Sequence, residues 1–294
     1  MSPRDKQAPA LSESSPDDMG AEFAGLMPAS LLTTSDVHTL LARPPAARFK
    51  GAGRVAAYSF WKMLTNPFSL GFAMALPIFM YLMFGANQEY SDYPVGHANV
   101  AATVLVNMVW YGVIMTTSSM GANVSLERTS GVSRLFALTP LSSSAQILAR
   151  SVAAVGVAAV VVAVTYLVGA FTGASMEGPV WLYSGLLVLA MAFLPAAMGL
   201  AAGFAVRSEG VYAVTSIVAV VCAFASGMFM PLEAMGEMFQ NIAPWTPFFG
   251  ALKIVQSPLV GWGDFSWTWV VNLLVWFAIM GGIAAWAQRR DTAR

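Results

Sequence analysis

The chain has 294 residues, of which 57% are hydrophobic and 10% charged, and its formal net charge is zero. An ordinary soluble domain carries roughly 25% charged residues, so this much apolar surface calls for a bilayer, and the neutral balance offers no footprint for nucleic acid. The lone Cys222 excludes an intrachain disulfide and says nothing about redox compartment.

Residues 1–47 are rich in Ser, Pro, Ala and acidic side chains, with Pro44 and Pro45 in tandem and no apolar core of a cleavable signal. They read as a mostly disordered cytoplasmic tail. In residues 48–66 the pattern changes. Phe49, Gly53, Ala56, Phe60 and Met63 recur at spacings of four and three, while Lys50, Arg54, Tyr58 and Lys62 fall on the other face. Such a helix, apolar on one side and basic on the other, suits the membrane interface. The alternative is a plain extension of the next span, but Pro67 after Asn66 favours a break.

Six stretches then lack any Asp, Glu, Lys, Arg or His: residues 67–85, 98–121, 151–170, 180–206, 211–230 and 267–287. Each is long enough to cross a hydrocarbon core about 30 Å thick as a helix of roughly 20 residues. Pro77 and Pro195 fall inside spans, at positions expected to kink them. Residues 232–266 are apolar but interrupted by Pro244, Pro247, Pro258 and several glycines. Runs this short fit an outer re-entrant or interfacial helical hairpin. The expected fold is therefore all-α and polytopic, with a six-helix transmembrane domain over residues 67–290.

Between the second and third spans, residues 127–141 carry Glu127, Arg128 and Arg134 beside Val132, Leu135, Phe136 and Leu138, and stop at Pro140. This is the pattern of a short amphipathic helix with a terminator. If the N-terminus is cytoplasmic, the inner segments hold 14 of the 15 Lys and Arg, and only Lys253 falls outside them. That asymmetry predicts both termini inside and an even number of spans.

No catalytic set appears. The histidines are His38, in the tail, and His97, expected to be solvated in an outer loop; one histidine without a partner thiol makes no metal site. There is no GxxxxGK[ST] phosphate loop, so the chain has no such site of its own for ATP. The spans also lack the ionisable residues that ion-coupled carriers commonly place in the membrane. What they hold is small, aromatic or hydroxyl-bearing: Asn107, Trp110, Tyr111, Thr116, Thr117, Ser118 and Ser119 in the second span, Thr215, Ser216, Ser226 and Gly227 in the fifth. Asn107, Trp110, Tyr111, Thr116, Thr215 and Ser226 are candidates for lining a substrate pathway; helix packing is the competing reading of the same residues. Trp262, Trp267 and Trp269 read as interfacial belt residues.

Three segments together resemble the type-2 ABC exporter permease family. LTNPFSLGFAMALPIFMYLMFG (residues 64–85) is similar to that family's entry into its first span, through Asn66, Pro67, Pro77, Phe84 and Gly85. ERTSGVSRLFALTPLSSSAQILAR (127–150) resembles its coupling-helix segment, through Glu127, Arg128, Gly131, Leu135, Thr139, Pro140 and Leu141. SGMFMPLEAMGEMFQNIAPWTPFFGAL (226–252) is similar to its fifth-span exit, with Gly227, Pro231 and Pro247 in order. The chain departs from the pattern at Gly236, where proline is common, at Arg134, where acidic or neutral residues are common, and in its longer tail.

The resemblance implies an inner-membrane permease subunit of an ATP-driven exporter of drugs, antibiotics, lipids or similar amphipathic solutes. It implies no catalysis and no cofactor in this chain. ATP and Mg would be held by a separate ATPase subunit, and a second permease copy or a relative would complete the pair. Glu127, Arg128, Gly131, Arg134, Leu135, Phe136 and Pro140 would couple to the ATPase, with the basic helix carrying Lys50, Arg54, Phe60 and Lys62 riding the interface beside them. A stand-alone carrier or channel not driven by ATP is the alternative.

Overall fold

The computed structural model describes residues 51–65, 67–130, 143–206, 208 and 210–292. The tail, Lys50 and most of the amphipathic segment (Gly131, Arg134, Leu135, Phe136 and Pro140) lie outside the described residues.

The first helix, α1 (Ala52–Leu64), follows Gly51, whose φ of 100° lies in the left-handed region. Thr65 closes the helix, its hydroxyl donating to the Trp61 carbonyl at 2.7 Å. The next helix, α2, begins at Pro67, where a missing N–H costs nothing. Met63 is buried with Met120, Ala153, Ala154 and Val157, and Phe60 packs against that cluster. Arg54, Tyr58 and Lys62 are exposed, on the side the sequence pattern gives them. Gly53 is a correction: expected on the apolar face, it is exposed, with open space where a side chain would project.

The main helices that follow are α2 (Pro67–Phe84), α3 (Val100–Thr129), α4 (Ser143–Phe171), the pair α5 (Gly178–Met191) and α6 (Phe193–Ala205), α7 (Val211–Ala225), and finally α11 (Trp267–Thr292). Four candidate spans are long and apolar enough to cross a bilayer by themselves: Val100–Arg128, Ala145–Phe171, Gly178–Ala205 and Trp267–Ala287. At 1.5 Å per residue, α2 reaches about 27 Å and α7 about 22 Å, short of a hydrocarbon core of roughly 30 Å.

Two expected spans are remodelled. The fourth is two helices, broken at Ala192, because Pro195 lacks an N–H and its ring crowds the carbonyl of Met191. The fifth does not run to Met230. It ends at Ala225, followed by Ser226 and by Gly227 at φ 79°, a conformation that favours glycine.

Helix α3 is the hub. Of its span window 78% is buried, against 6% for α11, which places α3 at the centre and α11 at the periphery. Asn99 starts α3 by accepting the Ala102 amide at 2.9 Å. A short antiparallel pair, β1 (Pro94–Val95) and β2 (Ala98–Asn99), precedes it.

Residues 232–266 form a broken hairpin: α8 (Leu232–Met235), α9 (Glu237–Ile242), a 3-10 turn, then α10 (Phe249–Val260). Gly236 separates α8 from α9 at φ 86°, a value proline cannot adopt, so the turn here differs from one built on proline. Helix α10 is largely buried, with Gly250, Leu252, Val255 and Leu259 in contact with the core.

The α3–α6 crossing is the tightest contact. A Cβ on Gly199 would lie 2.0 Å from the Ser118 carbonyl oxygen, one on Gly121 2.4 Å from the Leu200 amide nitrogen, and one on Gly203 2.6 Å from the Gly121 carbonyl oxygen. Gly199 and Gly203 are four residues apart on one face, the small-xxx-small arrangement that lets membrane helices approach closely.

Candidate functional site

Two regions of the bundle combine polar chemistry with defined geometry. The first is a cavity of about 780 Å³ bounded by α2, α3, the Ser226–Pro231 turn, α8 and α10. Its walls are mainly apolar, with Met80, Phe84, Met108, Phe224 and Leu252 among them. A volume of this size falls within the roughly 300–1,000 Å³ typical of small-molecule sites.

Its polar groups are few and organised. Asn107 Nδ2 donates to the Met228 carbonyl at 3.1 Å, and Gln256 Nε2 donates to Asn107 Oδ1 at 2.7 Å. The bonds tie α3 to the unwound turn after α7 and to α10. Ser226, at the cavity wall, donates to the Cys222 carbonyl at 2.6 Å and pairs with Thr246 Oγ1 at 2.8 Å. Lys253 and Gln256, three residues apart, share one face of α10 and both border the cavity. Asn107→Ala should leave the Met228 carbonyl and a Gln256 amide proton unpaired. A loss of about 1–3 kcal/mol is expected for such buried orphans, checked by thermal melting of the detergent-solubilised protein.

Of the six candidate pathway residues, Asn107 and Ser226 border this cavity, and the other four pack elsewhere. Trp110 is fully buried and meets Phe248 edge-on at 6.3 Å; its Nε1–H has no acceptor among the described residues. Tyr111 meets Phe229 edge-on at 5.0 Å. Thr116 donates to the Gly112 carbonyl at 2.5 Å and Thr215 to the Val211 carbonyl at 2.7 Å. Thr117, Ser118 and Ser119 bond back four residues in the same way. The four hydroxyls of residues 116–119 are thus satisfied as donors within their own helix.

The second region lies where α3, α4, α6 and α7 end together. Glu127 and Arg128 are the closing residues of α3 and not part of a separate helix, which corrects the boundary read from sequence. Glu127 forms an ion pair with Arg150 of α4, both largely buried. The Arg128 guanidinium donates to the carbonyls of Phe204 (3.0 Å) and Gly203 (3.3 Å) and lies 5.7 Å from the Phe204 ring centroid. Those carbonyls belong to the last turn of α6, at the negative end of its dipole. Ser125 bonds the Val206 carbonyl at 2.6 Å, and Tyr212 bonds Asn123. The arginine and glutamate to which the resemblance gives an ATPase-coupling role make these contacts within the bundle.

At the opposite end His97 is exposed as expected but not alone: its Nδ1 is 2.9 Å from Glu177. The His97 amide bonds the Leu259 carbonyl at 2.7 Å, and its carbonyl accepts the Glu177 amide at 3.1 Å, so two loops and the end of α10 are joined there. Trp262 and Trp267 are exposed around Phe265, which meets Trp267 and Trp269 edge-on at 5.7 Å each.

Sequence reasoning missed Lys253, Gln256 and the Gly199/Gly203 pair. The signal for Lys253 was present, as the single basic residue outside the inner segments. Gly199 and Gly203 show the GxxxG spacing in an apolar run.

Long apolar helices packed around a buried central helix define an α-helical multi-pass membrane protein. Residues 63–287 match the family described as ABC-2 family transporter protein, and the chain belongs to that family. It is also similar to a Bacillus subtilis (strain 168) protein named as transport permease YvfS, at 26% identity over 243 residues, 79% of this chain and 94% of the relative. Membership makes the chain a membrane subunit of an ABC transporter and implies an ATPase partner. The match begins at Met63, so all but the end of α1 lies outside it.

Proposed function

We propose that this protein is the transmembrane permease subunit of an ATP-driven exporter that moves a hydrophobic or amphipathic solute out of the cell. The supporting observation is the continuity of α3. This 30-residue helix runs unbroken through Asn107, at the cavity, to Glu127 and Arg128, at the helix-end cluster. The 21 residue steps from Asn107 to Arg128 span about 32 Å as a straight helix. A displacement of residues 131–142 therefore reaches the cavity wall through one rigid element, and through α6 by way of Arg128 and the glycine crossing.

In this reading the Arg128 end faces the cytoplasm of the inner membrane, together with both termini. A separate ATPase subunit holds ATP and Mg, and a second permease copy or a relative completes the pathway. Gly131, Arg134, Leu135, Phe136 and Pro140 form the docking element. Glu127 and Arg128 position it from within the bundle. The basic face of α1, with Arg54 and Lys62 exposed, lies along the inner interface.

The test is co-expression with a P-loop protein encoded by a neighbouring gene. Leu135→Asp should abolish co-purification and the permease-dependent stimulation of ATP hydrolysis, because a carboxylate in an apolar groove costs several kcal/mol unpaired. Normal co-purification and normal stimulation by the variant would refute the docking assignment. Outward movement is checked in inverted vesicles, where ATP should drive accumulation of an amphipathic fluorescent solute; loss from the vesicles instead would refute export.

A further inference from the structure

Among the described residues two charged groups border the cavity, Lys253 and Glu233, and they differ in setting. Glu233 is exposed on the four-residue helix α8, where water screens its field. Lys253 is half-buried on α10, with Nζ 5.9 Å from the Phe249 ring centroid and no ion pair among the described residues. The effective dielectric falls with burial, so the field of Lys253 acts on the cavity more strongly than that of Glu233.

The neighbours of Lys253 add direction. Gln256, on the same face of α10, spends one amide proton on Asn107, which fixes its head group and leaves its other proton for a second acceptor. A cation and an amide donor on α10 thus stand at one side of a cavity also lined by Met80, Phe84, Met108, Phe224 and the exposed Glu233. We infer that the cavity takes an amphipathic anion, with its carboxylate or phosphate at Lys253 and Gln256 and its apolar body against the methionine and aromatic walls. This rests on the reading of the cavity as the substrate site, and it narrows the substrate class to anionic amphiphiles.

The experiment uses the purified full chain in phosphatidylcholine nanodiscs. It compares a diazirine-bearing palmitic acid with the matching primary alcohol and primary amine at equal membrane fractions, and maps photolabelled residues by mass spectrometry. The acid should label the cavity walls about three- to fivefold more than the alcohol or amine, the range of a partly exposed ion pair. Lys253→Gln should bring the acid down to the level of the alcohol, and Lys253→Arg should preserve its advantage. A photoactivatable phosphatidylglycerol is the parallel arm: Lys253-dependent labelling by it identifies a bilayer lipid, and by the single-chain acid alone a monoacyl solute, either of which supports the inference. Equal cavity labelling by all three single-chain probes, or indifference of the acid to Lys253→Gln, overturns the anion assignment and leaves the cavity standing. Absence of cavity labelling by every probe overturns the cavity reading as well.

Discussion

Gly199→Val is expected to abolish accumulation of folded protein. The obstacle is backbone on both sides: a Cβ at position 199 would meet the Ser118 carbonyl oxygen at 2.0 Å. A side chain in that position could rotate away, but a peptide oxygen inside α3 cannot. The helix axes must separate, and the contacts of Gly121 and Gly203 are lost along with that of Gly199. Overpacking that neighbours can absorb costs about 1–3 kcal/mol, and this case belongs at or above the top of that range. The measurement is size-exclusion profile and thermal melting in detergent. Gly281→Ala is the control, since nothing lies within 4 Å of a Cβ there. It should leave melting unchanged or raise it, because alanine is the better helix former. Monodisperse Gly199→Val protein with unchanged melting would contradict the α3–α6 crossing.

Arg128→Glu should be nearly as damaging, by a different route. The wild-type guanidinium satisfies the Gly203 and Phe204 carbonyls at the end of α6. Hydrogen bonds to charged groups contribute about 1.5–3 kcal/mol. The substitution removes them and sets a carboxylate against the negative end of the α6 dipole, a further penalty of about 0.3–1 kcal/mol. Arg128→Lys keeps the charge but not the fork that reaches two carbonyls, so it should fall between wild type and glutamate. The decisive readout is the pair of melting temperature and ATPase stimulation in the co-expressed complex. If Arg128 only anchored a partner surface, Arg128→Glu would lose stimulation with melting unchanged; a bundle clamp requires both to fall.

These two sites show where sequence reading stops. Membrane class, the apolar runs and the basic amphipathic helix follow from composition and periodicity, because a bilayer imposes length and polarity on any segment that crosses it. The breaks were legible in part. Pro195 marked the kink at Ala192, but nothing local forced the fifth run to end at Ala225 before Gly227. Whether a hydroxyl borders a cavity depends on what packs beside its helix, so Thr116 and Ser226 look alike in sequence. Both turn back to a carbonyl four residues earlier, of Gly112 and of Cys222, and only packing separates them: Ser226 borders the cavity and also meets Thr246, while Thr116 lies away from it.

The sequence by itself determined that this chain is a polytopic helical membrane protein. It also carried the segments by which its family is recognised, since both depend on residues close together along the chain. Tertiary structure decided which charges are engaged and which polar groups face a cavity. Glu127 and Arg150 are 23 residues apart, Arg128 and Phe204 are 76, and Asn107 and Gln256 are 149. No periodicity encodes such pairs. They arise where the fold lays distant helices side by side: α3 against α4, α6 and α10, with glycines letting the backbones of α3 and α6 touch.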